Sequence, residues 1–307
     1  MRSFIGIVHL GIFIFLWLIA ASLPAWLILT LIIWGDFRLH IVVALYALIR
    51  HYLPRGTWDS FRRRHLELSQ RHQYFRKEMT IIEEDRREPQ SRHMLVFHPH
   101  GILCFGYIVN GNGSNELEKR GPYHWLGAWW MTNLPILSEL VAWQRGGQVD
   151  KAHVEMLMQN GENIALIPGG CEEATLFRYN QHQVYLRKRR GFIVYALRHG
   201  YQVSPVYTFG EELTYSSWEG ITDFRLWLNR YNIPCVVFWS KYWFLPYWDI
   251  NLVTVVGKPI QFPHIPHPTA NDIDKYFSIY VMELQALFER YVGTYAADPK
   301  SKLHIIL

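Results

Sequence analysis

The chain has 307 residues, of which 50% are hydrophobic and 16% are aromatic, including 13 tryptophans. This length suits one large domain or two small ones. The aromatic excess is typical of proteins at a membrane interface, because Trp and Tyr favour the depth of the lipid headgroups. The net charge of +5, from 31 basic and 26 acidic residues, is too small to indicate a nucleic-acid partner. Three cysteines exclude a disulfide framework and indicate a reducing compartment.

Residues 1–49 are predicted to be a membrane anchor. Residues 3–35 contain no Lys, Arg, Asp or Glu, and a second apolar stretch follows at 41–49. At about 1.5 Å per helical residue, the first run is longer than a hydrocarbon core of about 30 Å needs. One long tilted transmembrane helix fits this pattern, and so does a spanning or re-entrant hairpin bent near Pro24. A signal peptide cleaved near residues 20–22 is disfavoured because the apolar run is too long for one.

Residues 50–93 are predicted to be a basic interfacial region. Over its first part the acidic residues Asp59 and Glu67 are outnumbered by cations, at Arg50, Arg55, Arg62, Arg63, Arg64, Arg71, Arg76 and Lys77. Such an excess beside a membrane segment marks the cytoplasmic side and attracts anionic headgroups, although a solvated helix face explains any single Arg equally well. We expect residues 57–77 to be helical and residues 81–92 to form a loop.

Residues 94–307 alternate between predicted strands and helices, which favours an α/β architecture of a layered sheet with flanking helices. Short apolar runs bounded by Pro, Gly or polar residues predict strands at 94–98, 164–168, 202–207, 235–239 and 252–256. Apolar periodicity predicts helices at 135–145, 151–160, 189–199 and 271–291. In the last helix an apolar stripe predicts core packing, and Thr269 and Asp272 have the spacing of a capping box.

The run 94–101, Met-Leu-Val-Phe-His-Pro-His-Gly, contains the first candidate site. Its apolar residues predict a buried strand that the Pro and the Gly terminate. Loops at the carboxyl ends of strands in an α/β sheet are where ligands usually bind. Because histidine is suited to take a proton at neutral pH, His98 and His100 are candidate catalytic residues. For an isolated His-x-His, roles in turn capping and packing are equally good alternatives.

Two later stretches repeat the pattern of a strand followed by a polar turn. The run 164–167 precedes Gly169 and Gly170, and paired glycines let backbone N–H groups approach an oxyanion or a phosphate closely. No Gly-Lys-Ser/Thr follows, so this is not a phosphate-binding P-loop. Residues 205–212 also end a strand in Gly and acid, and residues 255–260 close a strand in a similar way. The recurrence predicts one shared rim of strand ends.

A cluster of four cations, Arg187, Lys188, Arg189 and Arg190, lies at the start of a predicted helix. The helix dipole disfavours cations at this end, so a compensating anion is expected. Arg recognises phosphate through a bidentate fork, which makes a phosphorylated ligand one interpretation. Anionic lipid and plain solvent exposure are the alternatives.

Taken in order, these stretches resemble the type-2 diacylglycerol acyltransferase family, which includes monoacylglycerol and wax-alcohol acyltransferases. The resemblance covers nearly the whole chain and rests on His98-Pro99-His100-Gly101, Gly169-Gly170 with Glu173, and residues 189–200, 205–211, 256–260 and 267–280. It implies a glycerolipid-acyltransferase-like fold in which 94–307 form the catalytic domain. It further implies acyl transfer from acyl-CoA, as co-substrate, to diacylglycerol or a related acylglycerol. The reaction would occur at the endoplasmic reticulum membrane, facing the cytosol, or at the lipid-droplet surface, without a cofactor or metal.

The mechanistic hypothesis assigns a role to each candidate residue. His100 lies nearer the glycine turn and is expected to be the general base, with His98 as the alternative. Glu173 is expected to hold the His100 imidazole in the correct tautomer, as a buried carboxylate does in a catalytic triad. The remaining candidates are oxyanion donors at Gly101, Gly169 and Gly170, and cations for the CoA phosphates at Arg187, Arg189 and Arg190.

The chain departs from the related glycerol-phosphate acyltransferases, which place an Asp after the four residues that follow their catalytic His. Leu103 and Phe105 occupy these positions here, so another group must orient the His. A covalent acyl-enzyme on Cys104 or Cys171 is a rival mechanism, although neither has an adjacent basic partner in the sequence.

Two further hypotheses belong to other functional classes. A metal site would join His98 and His100 to His124 or Cys171, but no metal-ligand spacing supports it. A non-catalytic lipid-binding membrane protein would keep the fold without turnover. The sequence leaves open the acceptor, the acyl-chain preference and whether the chain forms a homo-oligomer.

Overall fold

The computed structural model describes residues 4–35, 37–52, 56–83, 91–231 and 235–307. Its amino-terminal part consists of three helices, α1 (Phe4–Trp34), α2 (Arg38–Tyr52) and α3 (Asp59–Arg71). Helix α1 continues through position 24, so the predicted hairpin bend near Pro24 is wrong. Within the described part of the chain, no helix is both long enough and apolar enough to cross a membrane. The predicted transmembrane or re-entrant hairpin is therefore not supported.

A mixed sheet forms the centre of the molecule. Its strand order is β1 (Lys77–Ile82), β10 (Asn251–Val256), β7 (Gln202–Phe209), β2 (His93–His98), β5 (Asn163–Leu166), β3 (Tyr123–Gly127) and β4 (Gly146–Gln148), with β11 (Ile260–Gln261) beside β7. Two small sheets pair β6 (Gln183–Tyr185) with β12 (His304–Ile306), and β8 (Ser216–Ser217) with β9 (Phe238–Trp239).

The remaining helices lie between and beside the strands. They are α4 (Asn115–Glu118), α5 (Trp129–Asn133), α6 (Leu137–Trp143), α7 (Lys151–Gln159), α8 (Gly170–Leu176), α9 (Gly191–His199), α10 (Thr222–Asn229) and α11 (Ala270–Tyr295). A π-helical segment covers Gly106–Asn112, and a 3₁₀ turn covers Glu211–Leu213. The capping box predicted for α11 is present, with Thr269 and Asp272 bonding each other's backbone N–H groups.

The parallel strands decide which turns can meet. Strands β7, β2, β5 and β3 are parallel neighbours, so their carboxyl ends lie at one edge of the sheet. We call this the carboxyl edge; there β2 ends at His98, β5 at Leu166 and β7 at Phe209. Strand β10 runs antiparallel to β7, so the turn at 257–259 leaves the sheet at the opposite edge. The predicted rim therefore includes the first three strand ends and excludes residues 255–260.

Side-chain alternation along β2 divides the core into two layers. Met94 and Val96 pack with the apolar faces of α7, α9 and α11. Leu95 and Phe97 point to the other face and pack with Trp125. The apolar stripe predicted for α11 lies in the first layer and is confirmed as core.

Most predicted elements of residues 94–307 are confirmed, and three other predictions are wrong at least in part. Of the predicted loop 81–92, Ile81 and Ile82 belong to β1, and residues 84–90 lie outside the described residues. Of the predicted strand 235–239, only Phe238–Trp239 is a strand, and it pairs with β8 outside the main sheet. The predicted helix 57–77 ends at Arg71, and β1 (Lys77–Ile82) follows it as an edge strand paired with β10. β1 begins with Lys77 and Glu78 and has no alternation of apolar and polar residues, so its sequence does not indicate a strand.

One cation of the predicted headgroup-facing region is buried in the protein. The Arg62 guanidinium pairs with the Glu118 carboxylate at 2.7 Å. It also donates to the side-chain oxygens of Asn112, at 3.3 Å, and Gln144, at 3.1 Å. Arg145 contacts the same Glu118 at 2.6 Å. Arg62 therefore fastens α3 to the catalytic body and does not face the solvent.

We expect Arg62→Ala to lower the free energy of unfolding by about 3 kcal/mol, the low end for a broken buried ion pair. The loss is at the low end because Arg145 still pairs with Glu118. The matched control is Arg64→Ala, since the Arg64 side chain is 76% exposed and contacts Glu67 at 3.5 Å. That change should remain below about 1 kcal/mol. Chemical denaturation followed by circular dichroism measures both, and equal losses would contradict a structural role for Arg62.

Candidate active site

The carboxyl edge brings together most residues of the predicted site. His98 is the last residue of β2, and the turn that follows it carries His100 and Gly101. Strand β5 leads into Gly169 and α8, where Glu173 lies one helical turn further on. Because β2 and β5 are parallel neighbours, these two turns are adjacent.

His98 is fully buried beneath α11. Alternation along β2 places it on the same face as Met94 and Val96, and its Nε2 lies 2.8 Å from the hydroxyl of Tyr280. Its Nδ1 has no hydrogen-bond partner among the described residues. Burial lowers the pKa of His98 to about 3. His98 therefore stays neutral at physiological pH and is less suited than an exposed histidine to exchange protons with a substrate.

His100 is partly exposed, and its contacts define the tautomer. The Nδ1 atom lies 3.0 Å from the Gly101 carbonyl oxygen. A carbonyl only accepts hydrogen bonds, so Nδ1 carries the proton and Nε2 carries the lone pair. The Cys104 Sγ lies 3.3 Å from Nε2. Burial lowers the pKa of the His100 imidazole, opposed by the bond to Gly101 and reinforced by Arg189. His100 is thus a neutral base with an unprotonated Nε2.

Glu173 lies beside His100, as predicted, but it bonds the main chain rather than the imidazole. Its carboxylate accepts the backbone N–H of His100 and the backbone N–H of Tyr185, the latter at 2.7 Å. The Gly101 carbonyl already occupies the His100 Nδ1, so the tautomer is fixed without Glu173. Burial raises the pKa of Glu173 to about 7.

Steric contacts also require glycine at two of the predicted oxyanion positions. A Cβ at Gly101 would overlap the carboxyl group of Glu211, and a Cβ at Gly169 would overlap that of Glu173. Gly101 also has a φ of +60°, a conformation that disfavours other residues. Buried carboxylates therefore account for Gly101 and Gly169. The role of these glycines and of Gly170 as oxyanion donors stays a prediction.

The cations before α9 are partly neutralised by the protein itself. Arg189 pairs with Glu172. Arg190 pairs with Asp274, and its guanidinium lies 4.9 Å from the ring centroid of Phe277. These carboxylates are the compensating anions that were expected for cations at the amino terminus of a helix. Arg187 and Lys188 are exposed.

Three residues of the site have roles that the sequence did not predict. Glu211, directly after β7, is fully buried and accepts the backbone N–H groups of Phe105 and Gly106. Tyr280 contacts His98 although the sequence places it in a core stripe. Cys104 has a basic partner in space, the His100 ring, although it has none adjacent in sequence. The strand-end rule placed residues 205–212 on the rim, but it did not show which backbone groups Glu211 would bind.

The metal hypothesis is not favoured by the position of His124. Its Nε2 lies 3.6 Å from the carboxylate of Glu162. Glu162 precedes β5, so this pair lies toward the edge opposite to that of His98. Across the ranges that the structure describes, no group of three or more His, Cys, Asp or Glu is arranged to hold a metal ion.

Comparison with known proteins identifies the family. A family model described as diacylglycerol acyltransferase matches residues 31–306. The match extends from the end of α1 to β12 and includes every turn of the carboxyl edge. The chain therefore belongs to the diacylglycerol acyltransferase family and is an acyltransferase enzyme.

Individual relatives differ in the acceptor that their names give. Human 2-acylglycerol O-acyltransferase 3 is 28% identical over 232 residues, covering 69% of this chain and 67% of that protein. Human acyl-CoA wax alcohol acyltransferase 1 is 27% identical over 246 residues, covering 74% and 75%. Diacylglycerol O-acyltransferase 2 of Dictyostelium discoideum is 29% identical over 252 residues, covering 76% of each. The crystal structure of the 1-acyl-sn-glycerophosphate acyltransferase from Thermotoga maritima aligns with a TM-score of 0.47 and 13% identity over 89% of this chain and 95% of that one.

We expect Tyr280→Phe to lower the free energy of unfolding by about 1–3 kcal/mol, because it leaves the buried Nε2 of His98 without a partner. The control is Tyr276→Phe on the same helix, whose ring packs 5.1 Å from that of Phe262. Removing this hydroxyl leaves His98 unchanged, so the loss should be smaller. Thermal unfolding of the two variants measures the difference, and identical shifts would refute a stabilising bond to His98.

Proposed function

We propose that the chain transfers an acyl group from acyl-CoA to the free hydroxyl of diacylglycerol, forming triacylglycerol. The observation that carries this proposal is the geometry of His100. Its Nδ1 donates to the Gly101 carbonyl, so Nε2 is unprotonated and can accept the proton of a hydroxyl that displaces the Cys104 Sγ from it. Family membership supports the reaction class.

The proposed step is direct transfer. The acceptor oxygen attacks the thioester carbonyl carbon as Nε2 of His100 takes the hydroxyl proton. Backbone N–H groups near Gly101, Gly169 and Gly170 would stabilise the oxyanion that develops. The carbon–sulfur bond then breaks, and the CoA thiolate recovers the proton from His100. No atom or electron is needed beyond the two substrates.

The environment of Cys104 supports transfer without an acyl-enzyme. Burial raises the pKa of the Cys104 thiol well above its ordinary value, and the nearby carboxyls of Glu211 and Glu173 raise it further. The thiolate is the nucleophilic form of cysteine, so this environment disfavours covalent catalysis. If an acyl thioester on Cys104 were recovered after rapid denaturation during turnover, it would indicate covalent catalysis and contradict the direct mechanism.

Acyl-CoA is proposed to bind along the cations that precede α9. Arg187 is exposed and has no carboxylate partner among the described residues, so it can bind a phosphate oxygen. Arg189 is close enough to His100 to lower the pKa of that imidazole. We propose Arg187, Arg189 and Arg190 as the contacts for the CoA phosphates.

A location at the endoplasmic reticulum membrane, and in part on lipid droplets, completes the proposal. The outer surfaces of α1 and α2 expose large apolar side chains, including Phe4, Ile12 and Ile32 on α1 and Val42 and Leu45 on α2. Contact with lipid would remove this surface from water. The acceptor and the product are themselves lipids, so a membrane-bound enzyme would exchange them without passage through water.

The reaction is tested by measuring CoA release from oleoyl-CoA in membranes that carry the protein. Diacylglycerol, monoacylglycerol and hexadecanol are offered in turn, and lipid products are separated by chromatography. We expect His100→Ala to reduce turnover by roughly 10²–10⁴-fold, the contribution of a general base. The control His124→Ala removes an imidazole near the opposite edge and should keep activity.

The outcomes separate the candidate functions. Triacylglycerol that depends on His100 supports the whole proposal. Product with monoacylglycerol or hexadecanol alone would reassign the acceptor, since relatives with these three kinds of acceptor are 27–29% identical to the chain. Lipid binding without CoA release would instead indicate a non-catalytic lipid-binding protein. Full activity of His100→Ala would indicate that His98, and not His100, is the general base.

The pH dependence should follow the neutral form of His100. Its pKa is lowered from an ordinary value of 6.5, and a base must be unprotonated. The rate should therefore rise with pH and reach half its plateau below pH 6.5. Measuring kcat between about pH 5 and about pH 8 tests this. A midpoint above 6.5 would assign the rate to another group, such as a buried carboxyl.

A further inference from the structure

The turn that carries His100 is held at both ends by buried carboxylates. At its start, Glu173 accepts the backbone N–H of His100. At its end, Glu211 accepts the backbone N–H groups of Phe105, at 3.1 Å, and Gly106, at 2.6 Å. The two carboxylates come from different strand ends, after β5 and after β7. Residues 99–106 are therefore fixed by contacts from outside the turn.

The surroundings of Glu211 are shaped around its carboxyl group. Gly101 lies so close to Glu211 that a Cβ at Gly101 would overlap the carboxyl group. A Cβ at Gly106 would likewise overlap the side chain of Thr208. Gly210, which precedes Glu211, has a φ of +90°. A larger residue at Gly101 would push the turn and Glu211 apart. Close packing of this kind transmits a displacement of the carboxylate to the turn.

Glu211 is an expensive residue to bury for stability alone. It is fully buried, and its charged neighbours are the carboxyls Glu212 and Glu173, which disfavour its ionisation. Cys104 and Tyr215 are the other titratable groups beside it. Burial raises its pKa to about 8. A buried acid without a cation depends on its hydrogen bonds to offset the cost of its burial.

Cys104 connects this carboxylate to the candidate base. It directly precedes Phe105, whose N–H Glu211 holds, and its Sγ lies 3.3 Å from Nε2 of His100. Its φ is +56°, a strained conformation that persists only when the surroundings impose it. The two bonds from Glu211 hold the N–H groups of the two residues that follow Cys104. The chain of contacts thus runs from Glu211 through the main chain to the His100 ring.

We propose that Glu211 is a positioning residue for acyl transfer, holding the 99–106 turn through Phe105 and Gly106 so that Nε2 of His100 faces the acceptor hydroxyl. This inference rests on the proposed function. Glu211 touches neither substrate in this role and acts only through the main chain.

The test compares Glu211→Gln with Glu212→Gln. Both residues are buried and adjacent, but Glu212 bonds Gly210 and faces His182 at 3.6 Å, away from the turn. In Glu211→Gln one of the two N–H groups loses its acceptor, so the turn shifts. We expect kcat to fall by up to about 10²-fold while the KM for acyl-CoA changes little, since a misplaced group slows the chemical step. Glu212→Gln should keep kcat near the wild-type value, although both variants can lose stability.

A conservative variant tests the position of the carboxyl group. Glu211→Asp keeps the carboxyl group but withdraws it by one methylene, so it should be as slow as Glu211→Gln. Wild-type kcat in Glu211→Asp would show that the position of the carboxyl group does not matter and would overturn the proposal.

Amide hydrogen exchange tests the same contact without activity or mutation. In the wild-type protein the amides of Phe105 and Gly106 should be strongly protected, and Glu211→Gln should release them while Glu212→Gln does not. Rapid exchange of both amides in the wild type would overturn the proposal even if the variants failed to fold. A wild type without acyl transfer would refute the proposed function, whereas an active wild type with equal kcat in Glu211→Gln and Glu212→Gln would refute only the role of Glu211.

Discussion

The bond from the His100 backbone N–H to the Glu173 carboxylate is the contact on which the site depends. It exists because β2 and β5 are parallel and in register, with Val96 opposite Leu166. Strand β5 ends at Leu166, two residues before the level of His98, and residues 167–169 lead from it into α8. Slipping one strand by a single residue would turn every side chain to the other face and carry His98 out from under α11. Sheet register therefore determines the geometry of the turn.

The same constraint separates two histidines that are only two positions apart. His98 still belongs to the strand, so pleating directs it into the layer beneath α11, where it meets Tyr280. His100 lies beyond the last strand residue and is released from that alternation, so it reaches the partly exposed edge. Identical side chains thus acquire different surroundings from backbone position alone. One becomes a neutral part of the core, and the other lies at the partly exposed edge.

Local pattern predicted much of this arrangement, and long-range pairing explains the rest. The runs around residues 94–98, 163–166 and 202–209 are apolar and end at turn residues, so their strands and shared edge followed from the sequence. The Tyr280 hydroxyl was not predictable in this way, because 182 positions separate it from His98. The bonds of Glu211 span 105 and 106 positions. Such contacts depend on the order of strands in the sheet, which no local window contains.

The buried groups of the carboxyl edge make the fold sensitive to pH in two directions. Glu173 has a pKa raised from 4.5 to about 7, so the unfolded chain releases this proton first and stability falls as pH rises through that window. His98 has a pKa lowered from 6.5 to about 3, so the unfolded chain binds a proton first and stability falls as pH drops below 6.5. Neither group is placed where stability alone would put it. The two losses act at opposite ends of the pH range, so the neutral forms of both buried groups coexist most readily between them.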